Sequence, residues 1–157
     1  YAHLLRADPE WGPRAQRIVS ATRDLAEWLP EQLAPLIPML LRVVEERGAP
    51  AIAFHPPCTL QHGQGIRGVV ERLLRSVGVQ ALPVADAHLC CGSAGTYSIT
   101  QPKLSRQLRE NKLANLQAGG PQLILSANIG CLAHLQAGTA TPVRHWIEWL
   151  DELMAAA

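Results

Sequence analysis

Three times along the chain a short apolar run ends in a backbone breaker, and each time a cysteine follows. Ala51-Ile52-Ala53-Phe54-His55 runs into Pro56-Pro57 and then Cys58. Val79 to Val84 leads to Cys90-Cys91-Gly92, and Leu123-Ile124-Leu125-Ser126-Ala127 leads through Asn128-Ile129-Gly130 to Cys131. Continuous apolar runs bounded by breakers are strands buried on both faces, and strands alternating with helices pair in parallel. A parallel sheet collects the loops that follow its strands along one edge. The expected fold is therefore α/β, a short parallel sheet flanked by helices, with the cysteine-bearing loops gathered at that edge.

The segments between the runs supply the helices. Ile66, Val69, Val70, Leu73, Leu74 and Val77 recur at spacings of three and four, and Gly78 provides a stop. A second helix is expected from Pro102 to Ala118, with Pro102 in its first turn and Gly119-Gly120 closing it. Pro83 interrupts Val79 to Val84 and points to an edge strand. Thr141 to Arg144 reads as a fourth strand leading into a helix from Trp146 to Met154, with Ile147, Leu150, Leu153 and Met154 inward. Residues 1–47 read as helical. Ala15, Ile18, Val19, Leu25, Trp28 and Leu29 form an apolar face there, and Pro30, Pro35 and Pro38 break the pattern before Met39 to Arg47. Two parts result: a helical linker segment over 1–50, and an α/β domain over 51–157. The chain opens on Tyr1 rather than Met and reads as a piece of a longer protein.

Composition removes several function classes. Fourteen basic against thirteen acidic residues leave a net charge of +1, and seven aromatics offer few stacking platforms, so a nucleic-acid surface is not expected. The longest apolar stretch, Leu33 to Leu41, is nine residues with two prolines, whereas a membrane span needs about 20. Tyr1 to Leu29 carries charges throughout, so no secretory signal is read and a cytoplasmic, reducing location is expected. There, spaced cysteines are metal ligands or catalytic thiols more often than disulfides, and neighbouring Cys90 and Cys91 fit a disulfide framework poorly. Cys58, Cys91 and Cys131 each precede an expected helix, where thiolates gain from free N–H groups and the helix dipole.

Blander readings compete. The thiols could pack as small core hydrophobes, or hold a tetrahedral zinc ion. Cys90 with His88 could form a nucleophile pair. His55, His62 and His88 flank the cysteines as outer-shell donors or as turn histidines. Gly92-Ser93-Ala94-Gly95-Thr96 lacks the Lys-Ser/Thr ending of a phosphate loop. Lys103 to Lys112 alternates in charge, as a solvated helix face does.

The spacing is more specific than any one of these features. Thirty-one residues separate Cys58 from Cys90, and thirty-eight separate Gly92 from Cys131. This pattern resembles the cysteine-rich CCG domain of heterodisulfide reductases and related proteins. His55-Pro56-Pro57-Cys58-Thr59-Leu60-Gln61-His62-Gly63, His88-Leu89-Cys90-Cys91-Gly92-Ser93-Ala94-Gly95-Thr96-Tyr97-Ser98 and Ser126-Ala127-Asn128-Ile129-Gly130-Cys131 narrow the resemblance to the C-terminal domain of glycolate oxidase iron–sulfur subunits. It covers about residues 51–154, and the first fifty residues resemble the segment between that subunit's two cysteine-rich domains. Where the wider pattern ends in a last cysteine, this chain has His134.

The resemblance implies a 4Fe-4S cluster held by Cys58, Cys90, Cys91 and Cys131, with His134 as a candidate further ligand and zinc as the alternative metal. It implies an electron-transfer subunit without substrate chemistry of its own. That subunit would relay electrons from flavin-containing glycolate oxidase subunits, which oxidise glycolate to glyoxylate, towards a membrane quinone or other acceptor. Through the complex it would sit at the inner face of the cell membrane. The alternatives are a zinc-bound assembly module and a thiol–disulfide component of the heterodisulfide reductase kind.

Overall fold

The computed structural model describes all 157 residues and divides into two compact units, Tyr1–Gln32 and Leu33–Ala157. The boundary expected after residue 50 thus falls inside the second unit. In the first unit lie α1 (Ala2–Leu5), α2 (Trp11–Ala21) and most of α3 (Leu25–Leu33). The Asp8 carboxylate accepts from the amides of Glu10 and Trp11 and so fixes the start of α2. Of the apolar face expected here, Ala15 is buried, while Ile18, Val19, Leu25 and Trp28 remain largely exposed. A segment this short has little core in which to hide them. Pro30 does not break the chain as expected: α3 runs through it, at the cost of one backbone hydrogen bond.

The second unit opens with a 3₁₀ turn at Ala34–Leu36 and α4 (Ile37–Arg47), which carries Pro38 in its first turn where no donor is missed. The order then runs β1 (Ile52–His55), a five-residue π-helical turn (Thr59–Gly63), α5 (Val69–Ser76), β2 (Ala81–Leu82), α6 (Tyr97–Thr100), α7 (Pro102–Gln117), β3 (Leu123–Ser126), α8 (Ile129–Gln136), β4 (Val143–His145) and α9 (Trp146–Ala155). The four strands form one parallel sheet in the order β2-β1-β3-β4. Every residue of β1 and β3 is buried, as central parallel strands require. β2 is an edge strand of two residues, and Pro83 stops it immediately.

In the second unit the long helices follow the apolar periodicity, with departures in α7 and α9. α5 buries Val70, Leu73 and Leu74. α7 places Leu113 and Leu116 against Ala53, Ile124, Leu135, Cys91 and Cys131, the centre of the core; each such leucine contributes roughly 1.5–3 kcal/mol by leaving water. The same helix buries Ser105 and Lys112, so the segment from Lys103 to Lys112 is not wholly solvated. In α9 the buried residues are Trp146, Trp149 and Leu150, while Met154 is exposed. The two tryptophans, which are larger than methionine, set the phase of that helix. No helix is long and apolar enough to cross a membrane.

The chain leaves β1 for β2 on one side and then crosses back to β3 on the other. That reversal opens a crevice beyond the carboxyl ends of β1 and β3, the usual place for a site in an open α/β sheet. His55 pairs with Ser126 at this end, and the Ser126 hydroxyl donates to the His55 carbonyl at 2.9 Å.

Candidate metal centre

Each cysteine is delivered by a loop whose geometry the neighbouring side chains hold. Beyond β1 the chain passes through buried Pro56 and Pro57 to Cys58, which opens the π-helical turn. Within that turn the Gln61 amide nitrogen donates to the Pro56 carbonyl at 2.9 Å and reaches the carbonyls of Ala87 and His88 at 3.4 Å. His62 Nε2 donates to the same His88 carbonyl at 3.0 Å. These contacts clasp the Cys58 loop to the segment leading into Cys90. On the far side, Ser105 donates from its hydroxyl to the Gly92 carbonyl at 2.8 Å. Beyond β3, Asn128 caps α8, its side-chain oxygen accepting from the amides of Gly130 (2.9 Å) and Cys131 (3.3 Å). Cys131 therefore stands in the first turn of α8, within it rather than before it. Cys91 is followed by turns, and α6 begins only at Tyr97.

The four thiols line one cavity of about 420 Å³, together with Pro57, Thr59, Ser93, Asn128 and Gly130. Cys91 and Cys131 are buried, and Cys58 and Cys90 are half-buried. The sulfurs of Cys91 and Cys131 are 3.2 Å apart. The amide of Gly92 donates to Cys90 Sγ at 3.3 Å. Beneath the thiols lies His55, fully buried, with a ring nitrogen and the sulfurs of Cys91 and Cys131 all within 4.8 Å of one another. Neither ring nitrogen of His55 has a hydrogen-bond partner.

Such crowding splits the thiols electrostatically. Sharing a hydrogen bond with Cys131, with help from His55 and the Ser93 amide, outweighs burial and lowers Cys91 to about 4, so it is a thiolate at neutral pH. Cys131 is driven upward by its role in the same bond and by burial. Burial, then the proximity of Cys90, raises Cys58 to about 11. Four thiols converging without disulfides would repel one another as thiolates unless a cation bound them together.

The residues fit a metal on two observations of the structure. Four soft sulfur donors face one cavity, a set that suits iron–sulfur clusters and zinc alike. A buried imidazole whose nitrogens lack partners costs roughly 1–3 kcal/mol, and a metal or a metal-bound sulfur would satisfy it. All four sequence-predicted cysteines are thus brought together. His134 is not among them: its Nε2 lies 3.1 Å from the Ser105 hydroxyl. Because that hydroxyl gives its proton to Gly92, His134 donates through Nε2 and buttresses the Cys91-Gly92 loop from behind. His88 contributes its backbone carbonyl, and no hydrogen bond joins its ring to Cys90. Sequence reasoning misses Gln61 as a clasp and Lys112 as a buried neighbour, and leaves His55 between two roles. A polar residue two or three places after a loop cysteine is a weak signal, and the charge pattern around Lys112 points the wrong way.

An α/β sheet whose carboxyl edge gathers four thiols and a buried imidazole defines a cysteine-rich module with a candidate metal site. Residues 52–136 match the family model of the CCG cysteine-rich domain, more than half of the chain, and the chain belongs to that family. It is 44% identical over 154 residues to the glycolate oxidase iron–sulfur subunit of Escherichia coli K12, covering 98% of this chain and 36% of that protein. It is 32% identical over 160 residues to lactate utilization protein A of Geobacillus thermodenitrificans NG80-2, covering 96% and 63%. A probable glycolate oxidase iron–sulfur subunit of Bacillus subtilis 168 is 30% identical over 139 residues, covering 88% and 30%. The chain thus spans less than two thirds of the length of these relatives.

Proposed function

We propose that this domain is an electron-transfer module whose four cysteines, Cys58, Cys90, Cys91 and Cys131, hold a 4Fe-4S cluster. The observation that carries this reading is the convergence of all four thiols on one cavity at the sheet's carboxyl edge, in a chain related to proteins named as iron–sulfur subunits. Bound iron and sulfide would supply the one-electron chemistry, and the protein would set its position and potential. The Gly92 amide, which donates to Cys90 Sγ, and the Ser93 amide beside Cys91 favour negative charge there. Asn128 fixes the first turn of α8 and with it the position of Cys131. Gln61 and His62 hold the Cys58 and Cys90 loops at fixed separation. Ser105 and His134 brace the Cys91 loop, which limits rearrangement when an electron arrives.

By relationship to the glycolate oxidase subunits, the electrons come from a flavin-containing partner that oxidises glycolate and leave towards a quinone or another acceptor, with the complex at the inner face of the cell membrane. A single zinc ion in a structural role is the second reading, favoured by the closeness of His55, Cys91 and Cys131, which could share one ion. The test is anaerobic addition of glycolate to the complex of this protein with its flavin partner. Electron transfer bleaches the visible absorption of the cluster in the wild type and not in Cys91→Ser. Equal bleaching in the two, or no visible chromophore in the wild type, would overturn the proposal.

A further inference from the structure

Lys112 is the least expected side chain of the core. It is only 1% exposed and ranks among the largest fully buried side chains. Leu113 and Leu116, next to it on the buried face of α7, pack against Cys91 and Cys131. Its ammonium donates to the carbonyls of Asp86 at 3.1 Å and Ala87 at 2.9 Å, on the turn that leads from β2 to Cys90 and Cys91. Those carbonyls are dipoles, and a buried cation also needs an opposing charge. No carboxylate supplies one in direct contact, because the ion pairs of the chain are Arg14–Glu10 and Arg144–Glu152, away from this residue. Burial pushes the Lys112 ammonium below its ordinary range, and the groups that oppose this are Cys91, then Cys58, Asp86 and Cys90. A cation shut in the core and hydrogen-bonded to the turn that leads to Cys90 and Cys91 is placed to balance an anionic metal–thiolate centre.

We infer that Lys112 is the fixed counter-charge of the metal centre, a positioning residue that ties down the Cys90-Cys91 loop and favours the reduced state of the bound group. This inference rests on the reading proposed above. Four thiolates around a metal leave net negative charge, and each added electron increases it. A cation locked in the core offsets that increase without the screening that a surface lysine would suffer. The two backbone hydrogen bonds make the placement rigid.

The experiment is a spectroscopic redox titration of the iron–sulfur-loaded protein as wild type, Lys112→Met, Lys112→Gln and Lys112→Arg, with iron and sulfide measured in each. Methionine keeps the volume and removes the charge, glutamine keeps a donor for the carbonyls, and arginine keeps the charge. Lys112→Met and Lys112→Gln should each disfavour reduction by about tenfold or more, a fall of about 59 mV per tenfold for one electron, while Lys112→Arg stays near wild type. A purely structural role would change iron content or melting temperature and leave the potential of the loaded fraction alone. An unchanged potential in Lys112→Met or Lys112→Gln at full loading overturns the inference. Should both neutral variants lose the metal, retention in Lys112→Arg supports the counter-charge, and loss in Lys112→Arg overturns it. If the wild type holds zinc without sulfide, the cluster reading fails and the redox part of this inference fails with it, because zinc changes no oxidation state, and zinc affinity then decides the counter-charge alone. Lys112→Met then weakens zinc binding at least tenfold, and equal binding overturns it.

Discussion

Gly92 offers the sharpest way to perturb the site through its backbone. Its φ is +90°, and a Cβ placed there would lie 2.4 Å from the Ser105 carbonyl oxygen and 3.1 Å from Leu108 Cβ. Ser105 sits in a helix and cannot yield, so Gly92→Ala must move the loop. Three costs add: about 1–3 kcal/mol for a side chain at that φ, about 1–3 kcal/mol for overpacking, and about 0.5–1.5 kcal/mol for the strained Ser105–Gly92 hydrogen bond. The sum is roughly 2.5–7.5 kcal/mol, which for a chain of this size lowers the melting temperature by about 5–30 °C. Gly95 is the control, because it also has positive φ (+58°) but no atom within 4 Å of its Cβ position. Gly95→Ala should cost only the backbone strain, about 1–2 kcal/mol. The assay is thermal unfolding of both variants by circular dichroism under reducing, metal-free conditions. If Gly92→Ala melts within a few degrees of Gly95→Ala, the tight contact with α7 is not there and the reasoning fails.

His55→Leu should weaken the depression of the Cys91 thiol and lower metal retention; an unchanged Cys91 titration together with unchanged metal content would refute its role at the centre. Asn128→Ala should cost about 1 kcal/mol in a denaturant titration through loss of the α8 cap, and an unchanged midpoint would contradict it. In the metal-free chain, Cys91 ionises near 4 when folded and near its ordinary 9.0 when unfolded, so the unfolded state binds the extra proton between those values. The resulting stability is complete above pH 9 and is lost as pH falls through 4. Cys58, raised from 9.0 to about 11, works in the opposite sense above pH 9. Stability should therefore climb from about pH 5 to about pH 8 in the wild type and climb less in Cys91→Ser; equal slopes would refute the assignment.

Legibility in the sequence followed the range of the physics involved. The buried strands β1 and β3 were readable because a parallel strand covered on both faces must be apolar at nearly every position, and breakers bounded both. The convergence of Cys58, Cys90, Cys91 and Cys131 followed from the same rule, since a parallel sheet has one carboxyl edge. What depended on long-range packing was not readable. Alternating charges around Lys112 look like solvent exposure until the turn at Asp86 and Ala87 offers two carbonyls. His134 follows Cys131 at helical spacing, yet the pitch of α8 carries it to Ser105 and not into the cavity. Met154 matched an apolar stripe, but Trp146 and Trp149 bury more surface and rotate α9 accordingly. Pro30 is a local breaker whose cost α3 absorbs.

What the four thiols hold is decided by the composition of the bound group. Iron, zinc and acid-labile sulfide should be counted on protein purified without oxygen, alongside the same counts for Cys58→Ser, Cys90→Ser, Cys91→Ser and Cys131→Ser. A cluster at this site gives about four irons and four sulfides per chain in the wild type, with loss in each variant. Stoichiometric zinc without sulfide, or full iron and sulfide in the Cys91→Ser chain, would contradict it.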